Sequence, residues 1–181
     1  MFDPKIAISG AAGGAAGEQG EKLAFEVGRQ VAIHGGIILT GATTGIPLAS
    51  ARGAKSVKGE VIGFSPANSL LEHTKKYRLP VQYHDTMFFT GQDYAGRDIT
   101  LIDMADAVIE ISGRVGTLHE FTHAFERHMI IGILLHSGGT IDEIPVILKM
   151  AHRGMGRVIM HEDPKQLVRH VFAAIDEANL V

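Results

Sequence analysis

Short apolar runs that end in glycine clusters constrain this chain most. Lys5–Ser9 runs into Gly10, Ile37–Thr40 into Gly41, and Ala107–Ile111 into Ser112-Gly113. These runs are largely continuous in apolar character rather than alternating, as strands buried on both faces require. Between them lie segments with helical periodicity. Glu18–His34 carries Leu23, Phe25, Val27, Val31 and Ile33 and is stopped by Gly35-Gly36. Gly45–Val57 is an Ala-rich helix, Asp93–Met104 a further one, and Pro164–Ala178 a closing amphipathic helix. Glu60–Ser65 reads as the third strand, with Val81–Tyr83, Thr86–Phe89, Pro145–Lys149 and Arg157–Met160 as additional strand-like runs. Asn68–Arg78 is polar and reads as loop or helix, and Gly116–Leu135 as one long helix. Strands alternating with helices predict an α/β chain: a single doubly wound, Rossmann-like domain over residues 1–181 with a mainly parallel central sheet. Ligands of such sheets bind beyond the carboxyl ends of the strands.

Composition narrows the function. The chain has 181 residues, 17 Lys and Arg against 20 Asp and Glu, and a net charge of −3. No Lys/Arg run marks a nucleic-acid face, so a nucleic-acid polymer is not an expected partner. Cysteine is absent, which excludes a disulfide framework and a thiolate zinc site. The first five residues lack the layout of a signal peptide, and the longest apolar stretch, near Met129–Leu135, is too short to span a bilayer. The expectation is a cytoplasmic protein that does not contact membranes.

Three glycine loops are candidate phosphate cradles. Glycines at 10, 13, 14 and 17 lack the G-x-G-x-x-G spacing, and Thr40-Gly41 stands where an acid would hold an NAD ribose. A nicotinamide cofactor is therefore not expected, and no P-loop signature occurs. Ser9 and Gly10 in the first loop, and Gly41, Thr44 and Gly45 in the second, either contact a nucleotide or only make tight strand-to-helix turns. The third loop is more specific. Ser112-Gly113-Arg114-Val115-Gly116-Thr117 joins a strand to a helix, whose start offers unpaired N–H groups and the positive end of its dipole to an anion. Gly113 and Gly116 let backbone approach a phosphate, while Thr117 and Arg114 add donors.

His119-Glu120-Phe121-Thr122-His123 matches H-E-x-x-H, the zinc-peptidase helix motif. It begins one turn into a helix whose dipole favours anions over cations, so no metal is expected there.

Arg97, Ala105-Asp106-Ala107 and Ser112-Gly113-Arg114-Val115-Gly116-Thr117-Leu118-His119-Glu120 together resemble the Lonely Guy family, whose motif is P-G-G-x-G-T-x-x-E preceded by an Arg. Gly41–Ile46, Ala51–Lys55, Val61–Pro66 and His161–Pro164 extend the resemblance over nearly the whole chain. The resemblance implies a Rossmann-like fold, which the molybdenum-cofactor carrier proteins share, and a homodimer or higher homo-oligomer. It also implies hydrolysis of the N-glycosidic bond of a nucleoside 5′-monophosphate, with no resident cofactor. Glu120 would stabilise an oxocarbenium-like transition state or activate water, Arg97 would position Glu120 or substrate, and the third loop would hold the 5′-phosphate. The alternative is a non-catalytic carrier or sensor of a nucleotide or phosphorylated cofactor. Ser112 and Arg114 depart from the family's Pro and Gly. Ser frees the φ angle that Pro would fix. A positive φ at position 114 would strain an Arg. The helix predicted over Phe121–Leu135 is apolar on more than one side, which fits either a pairing face or burial in its own domain.

Overall fold

The computed structural model describes residues 3–13 and 17–179. Among the described residues, seven strands form one sheet in the order β4-β3-β2-β1-β5-β6-β7, and every adjacent pair is parallel. They are β1 (Lys5–Gly10), β2 (Ile37–Thr40), β3 (Val61–Ser65), β4 (Thr86–Phe89), β5 (Ala107–Ile111), β6 (Ile130–Leu134) and β7 (Val158–His161). The helices are α1 (Gly17–Ile33), α2 (Ile46–Lys55), α3 (Leu70–Lys75), α4 (Asp93–Asp103), α5 (Val115–Glu126), α6 (Ile144–Ala151) and α7 (Pro164–Ala178), with a 3₁₀ turn at Gly139–Glu143. The strand order reverses between β1 and β5, so a crevice opens at the carboxyl ends of these two strands.

Each face of the sheet has its own apolar layer. Ile6, Ile8, Ile109 and Ile111 pack with α1, α2 and α7 on one side. Ala7, Val108, Ile131 and Ile133 pack with Leu101 of α4, Phe121 of α5 and Leu148 of α6 on the other. Gly28 and Gly53 set the α1–α2 contact: a Cβ at either would collide with the backbone of the facing helix.

Three predicted elements differ. The helix predicted over Gly116–Leu135 ends at Glu126, and Ile130–Leu134 is a strand instead. His128 breaks the helix at φ 56°, and the run Ile-Ile-Gly-Ile-Leu is buried at every position between β5 and β7. All-round apolarity there reflects a central parallel strand, so its residues lie inside the sheet and form no pairing face. The predicted strand at Pro145–Lys149 is helical, with Pro145 in the first turn of α6, where its missing N–H costs no bond. Val81–Tyr83 is a turn with Tyr83 at φ 68°. The ambiguous segment at 68–78 contains α3, whose Ser69 cap accepts from Glu72 N at 3.2 Å. Gly14 lies outside the described residues. Among the described residues no helix is long and apolar enough to cross a membrane.

Candidate functional site

A cleft of about 260 Å³ opens at the β1–β5 crevice. Its floor comes from the end of β1 (Ser9, Gly10), its walls from Gly41, α4 (Arg97, Asp98) and α5 (Glu120), and its rim from Arg114, Gly116 and Thr117. Eight of the sequence-derived candidates thus meet in one place: Ser9, Gly10, Gly41, Arg97, Arg114, Gly116, Thr117 and Glu120. Thr44, Gly45, Ser112, Gly113 and Val115 do not line it. Their roles are local. Gly45, at φ 69°, leaves no room for a Cβ beside Ala11 O and so seats α2 against the loop after β1. A Cβ on Gly113 would lie 2.6 Å from Thr117. Val115 points to solvent.

The third loop is held from a direction the sequence did not reveal. Ser112 N donates to Ser137 Oγ at 2.7 Å, and Thr140 Oγ1 donates to Arg114 O at 3.0 Å. Thr140 N donates to Gly113 O at 3.1 Å. Ser112 sits at φ 54°, a value closed to the proline that stands there in the family motif. Arg114 is extended at φ −131°, so it carries no backbone strain, and it caps α5 without a side-chain hydrogen bond. Its side chain lies on the rim, with no hydrogen bond or ion pair among the described residues. The first intrahelical bond of α5 is Leu118 N to Arg114 O, leaving the N–H groups of the preceding turn directed to the cleft end of the helix.

Gly41 does more than line the cleft. Its missing Cβ makes room for the Arg97 guanidinium, which donates from Nη1 to Gly41 O and, at 3.2 Å, to Phe64 O. Arg97 Nε lies 3.0 Å from Asp98 Oδ1 but is too poorly aligned for a hydrogen bond. The arginine therefore ties the carboxyl ends of β2 and β3 to α4, and lends its charge to the cleft wall.

The acids are unusual. Ser9 Oγ donates to Glu120 Oε2 in a buried hydrogen bond. Burial, followed by the neighbouring charge of Asp98, pushes the Glu120 carboxyl up to about 7, against the pull of Arg97 and of Ser9. Burial also raises Asp98, although Arg97 and His119 oppose it. Beneath the floor, Glu110 of β5 is fully buried, and neither carboxyl oxygen has a hydrogen-bond partner. Burial and the charge of Glu120 hold it well above the carboxylate range. Asp98 and Glu110 were missed as candidates. An acid inside an otherwise apolar strand was the visible signal for Glu110.

The H-E-x-x-H residues diverge. His119 Nδ1 lies 3.7 Å from Asp98 Oδ2, His123 Nε2 lies 2.8 Å from Asp103 Oδ1, and Glu120 turns to Ser9. Among the described residues, no three His, Asp or Glu side chains gather as a metal site would require.

The comparisons with known proteins agree with this architecture. The model of the SLOG cluster4 family matches residues 3–168. An uncharacterised protein of Archaeoglobus fulgidus is 30% identical over 122 residues, 67% of this chain and 74% of that protein. The molybdenum cofactor binding protein of Rippkaea orientalis superposes with a TM-score of 0.82 at 22% identity, over 97% of this chain and 99% of that one. DNA processing protein A of Helicobacter pylori, described by its single-stranded DNA binding mode, superposes at 0.67 with 16% identity, over 94% of this chain and 81% of that one. At these identities the structural likenesses establish the fold alone.

Proposed function

This chain belongs to the SLOG cluster4 family, and on that premise we propose that it binds a phosphorylated small molecule in the β1–β5 cleft and holds it without cleaving it. The ligand class is a nucleoside monophosphate or a pterin-type cofactor phosphate. The observation that carries this reading is the division of the cleft. An anion-receptive rim, with Arg114, Thr117 and the start of α5, stands beside walls that carry the buried acids Asp98 and Glu120. The rim suits a phosphate. The walls suit the N–H groups of a heterocycle, since carboxylates only accept hydrogen bonds. A volume of about 260 Å³ and a net charge of −3 favour a small ligand over a nucleic-acid strand. The likeness to the Rippkaea orientalis protein supports a cofactor of the molybdenum type.

Holding rather than cleaving is supported by how the two candidate catalytic residues are engaged. Glu120 is clamped by Ser9, and Arg97 directs Nη1 to two backbone carbonyls. Both are fixed in place by bonds within the chain, which suits groups that orient a bound ligand.

One observation favours the second reading, N-glycosidic hydrolysis of a nucleoside 5′-monophosphate. Glu120, at about 7, is part ionised at neutral pH and shares the cleft wall with Arg97, as a general base would.

Equilibrium titration with AMP, GMP and molybdopterin, run beside chromatographic detection of free base, separates the readings. The expected result is saturable binding of at least one of the three with no base released over hours. Base release by the native chain that disappears in Glu120→Ala establishes the hydrolase instead. Absence of binding to all three overturns the carrier reading.

A further inference from the structure

Glu110 has no place in either reading above, yet it is the most conspicuous side chain near the cleft. It is 0% exposed, stands one residue before the end of β5, and among the described residues neither oxygen meets hydrogen-bond geometry, although Ser9 is near enough to pull its titration down against the larger effect of burial. An ionised carboxylate in that setting would be strongly unfavourable, so the group is held as the neutral acid, with one O–H to donate. Its neighbours are known from every side. In strand register it lies beside Ser9 of β1 and Ile133 of β6. The helices covering this face bring Glu120 from α5 and Asp98 and Arg97 from α4.

Ser9 is the polar side chain in register with Glu110. Its hydroxyl proton is committed to Glu120 Oε2, and a hydroxyl oxygen accepts as well as donates. Among the described residues no donor is bonded to Ser9 Oγ. The buried acid that lacks an acceptor therefore lies beside a hydroxyl that lacks a donor.

We propose that Glu110 is a positioning residue which, as the neutral acid, donates to Ser9 and thereby fixes the Ser9 hydroxyl on Glu120, so that Glu120 faces the cleft as an oriented hydrogen-bond acceptor. One proton stays on Glu110 and one on Ser9, and no proton is transferred. The relay belongs to the unliganded cleft, so it stands or falls separately from the identity of the ligand.

The test is a carboxyl-carbon NMR titration of the full chain labelled at Glu. In the native chain the Glu110 signal is expected to remain that of the protonated acid through pH 7, while Glu120 titrates near 7. Glu110→Gln keeps a donor and leaves the Glu120 midpoint within about 0.3 of native. Glu110→Met removes the donor, loosens the Ser9 bond that favours ionised Glu120, and raises the midpoint by about half to one pH unit. In a Ser9→Ala background the same Met substitution moves Glu120 no further, which a general packing effect would not reproduce. An ionised Glu110 at pH 7 in the native chain overturns the proposal without any variant. So does a Glu120 midpoint that responds equally to Gln and Met, or a Met effect that persists without Ser9.

Discussion

On one face of the sheet, Ile6 and Ile8 of β1 and Ile109 and Ile111 of β5 pack against α1, α2 and α7 in a layer that is apolar throughout. On the other face, the alternate positions of the same two strands begin as apolar, with Ala7 and Val108, and end as Ser9 and Glu110. Strand alternation makes this possible: a single step along the chain moves a side chain from a dry layer to a polar pocket. The first face needs only volume and fit. The second tolerates buried acids because the crevice between β1 and β5 gives Ser9, Glu120 and Asp98 access to a cleft and to Arg97. Function is concentrated where the second layer gives out, at the carboxyl ends of its strands.

The largest expected effect tests this division directly. Ile109 is fully buried in the apolar layer, and Ile109→Ala removes methylenes from a site with no room to collapse. It is expected to cost about 2–5 kcal/mol in urea unfolding. Its chain neighbour should behave oppositely. Glu110→Met replaces an unpartnered buried acid with an apolar side chain of similar size, and is expected to leave stability unchanged or raise it. Equal losses at both positions would break the comparison, because Glu110 would then be as much a packing residue as Ile109.

The same contrast explains what was legible in the sequence. The apolar layer announces itself by composition, so β1, β2, β3, β5 and the helices α1, α2, α4 and α7 follow from pattern alone. Continuous apolarity also caused the main misreading. Ile130–Leu134 is buried on both faces, and nothing local distinguishes such a strand from a buried helix turn following α5. The apolar pattern therefore continues past His128, where the positive φ of the backbone breaks the helix. In the cleft, glycine spacing and the Arg97–Glu120 interval located most of the residues that converge. It did not locate Asp98 or Glu110, whose importance comes from contacts across separate elements. It also gave no sign that the bare α-carbon of Gly41 accommodates an arginine 56 residues away.

A smaller effect should appear as pH dependence confined to the polar face. Glu120 holds its proton up to about pH 7 in the folded chain and releases it near 4.5 when unfolded. Between those values the folded state binds more protons, so stability falls as pH rises from about 4.5 to 7 and this contribution levels off above. The drop is expected to be on the order of 1–3 kcal/mol, since part of the desolvation is relieved by Arg97 and Ser9. Glu110, also raised by burial, contributes with the same sign. Denaturant midpoints measured across pH 4–9 should show a shallower slope below 7 in Glu120→Gln and an unchanged slope in Ile109→Val, which touches only the other face. A Glu120→Gln chain with the native slope would mean that the acid is solvated in solution.

The smallest expected effect on stability falls at the rim and sharpens the comparison where layer gives way to ligand. Arg114 is exposed, extended in backbone and without a side-chain hydrogen bond, so Arg114→Ala should change unfolding free energy by no more than about 0.5 kcal/mol. Its expected consequence lies in binding. An arginine fork at the start of α5 offers a phosphate two parallel charge-assisted bonds, so its loss should weaken AMP binding by roughly tenfold. Arg114→Lys should recover only part of this, because a lysine offers a point charge rather than a fork. Titrations at low and high salt distinguish a rim that holds phosphate from one that merely attracts it. A difference between native and Ala chains that persists at high salt indicates direct contact, whereas one that vanishes reduces Arg114 to long-range steering.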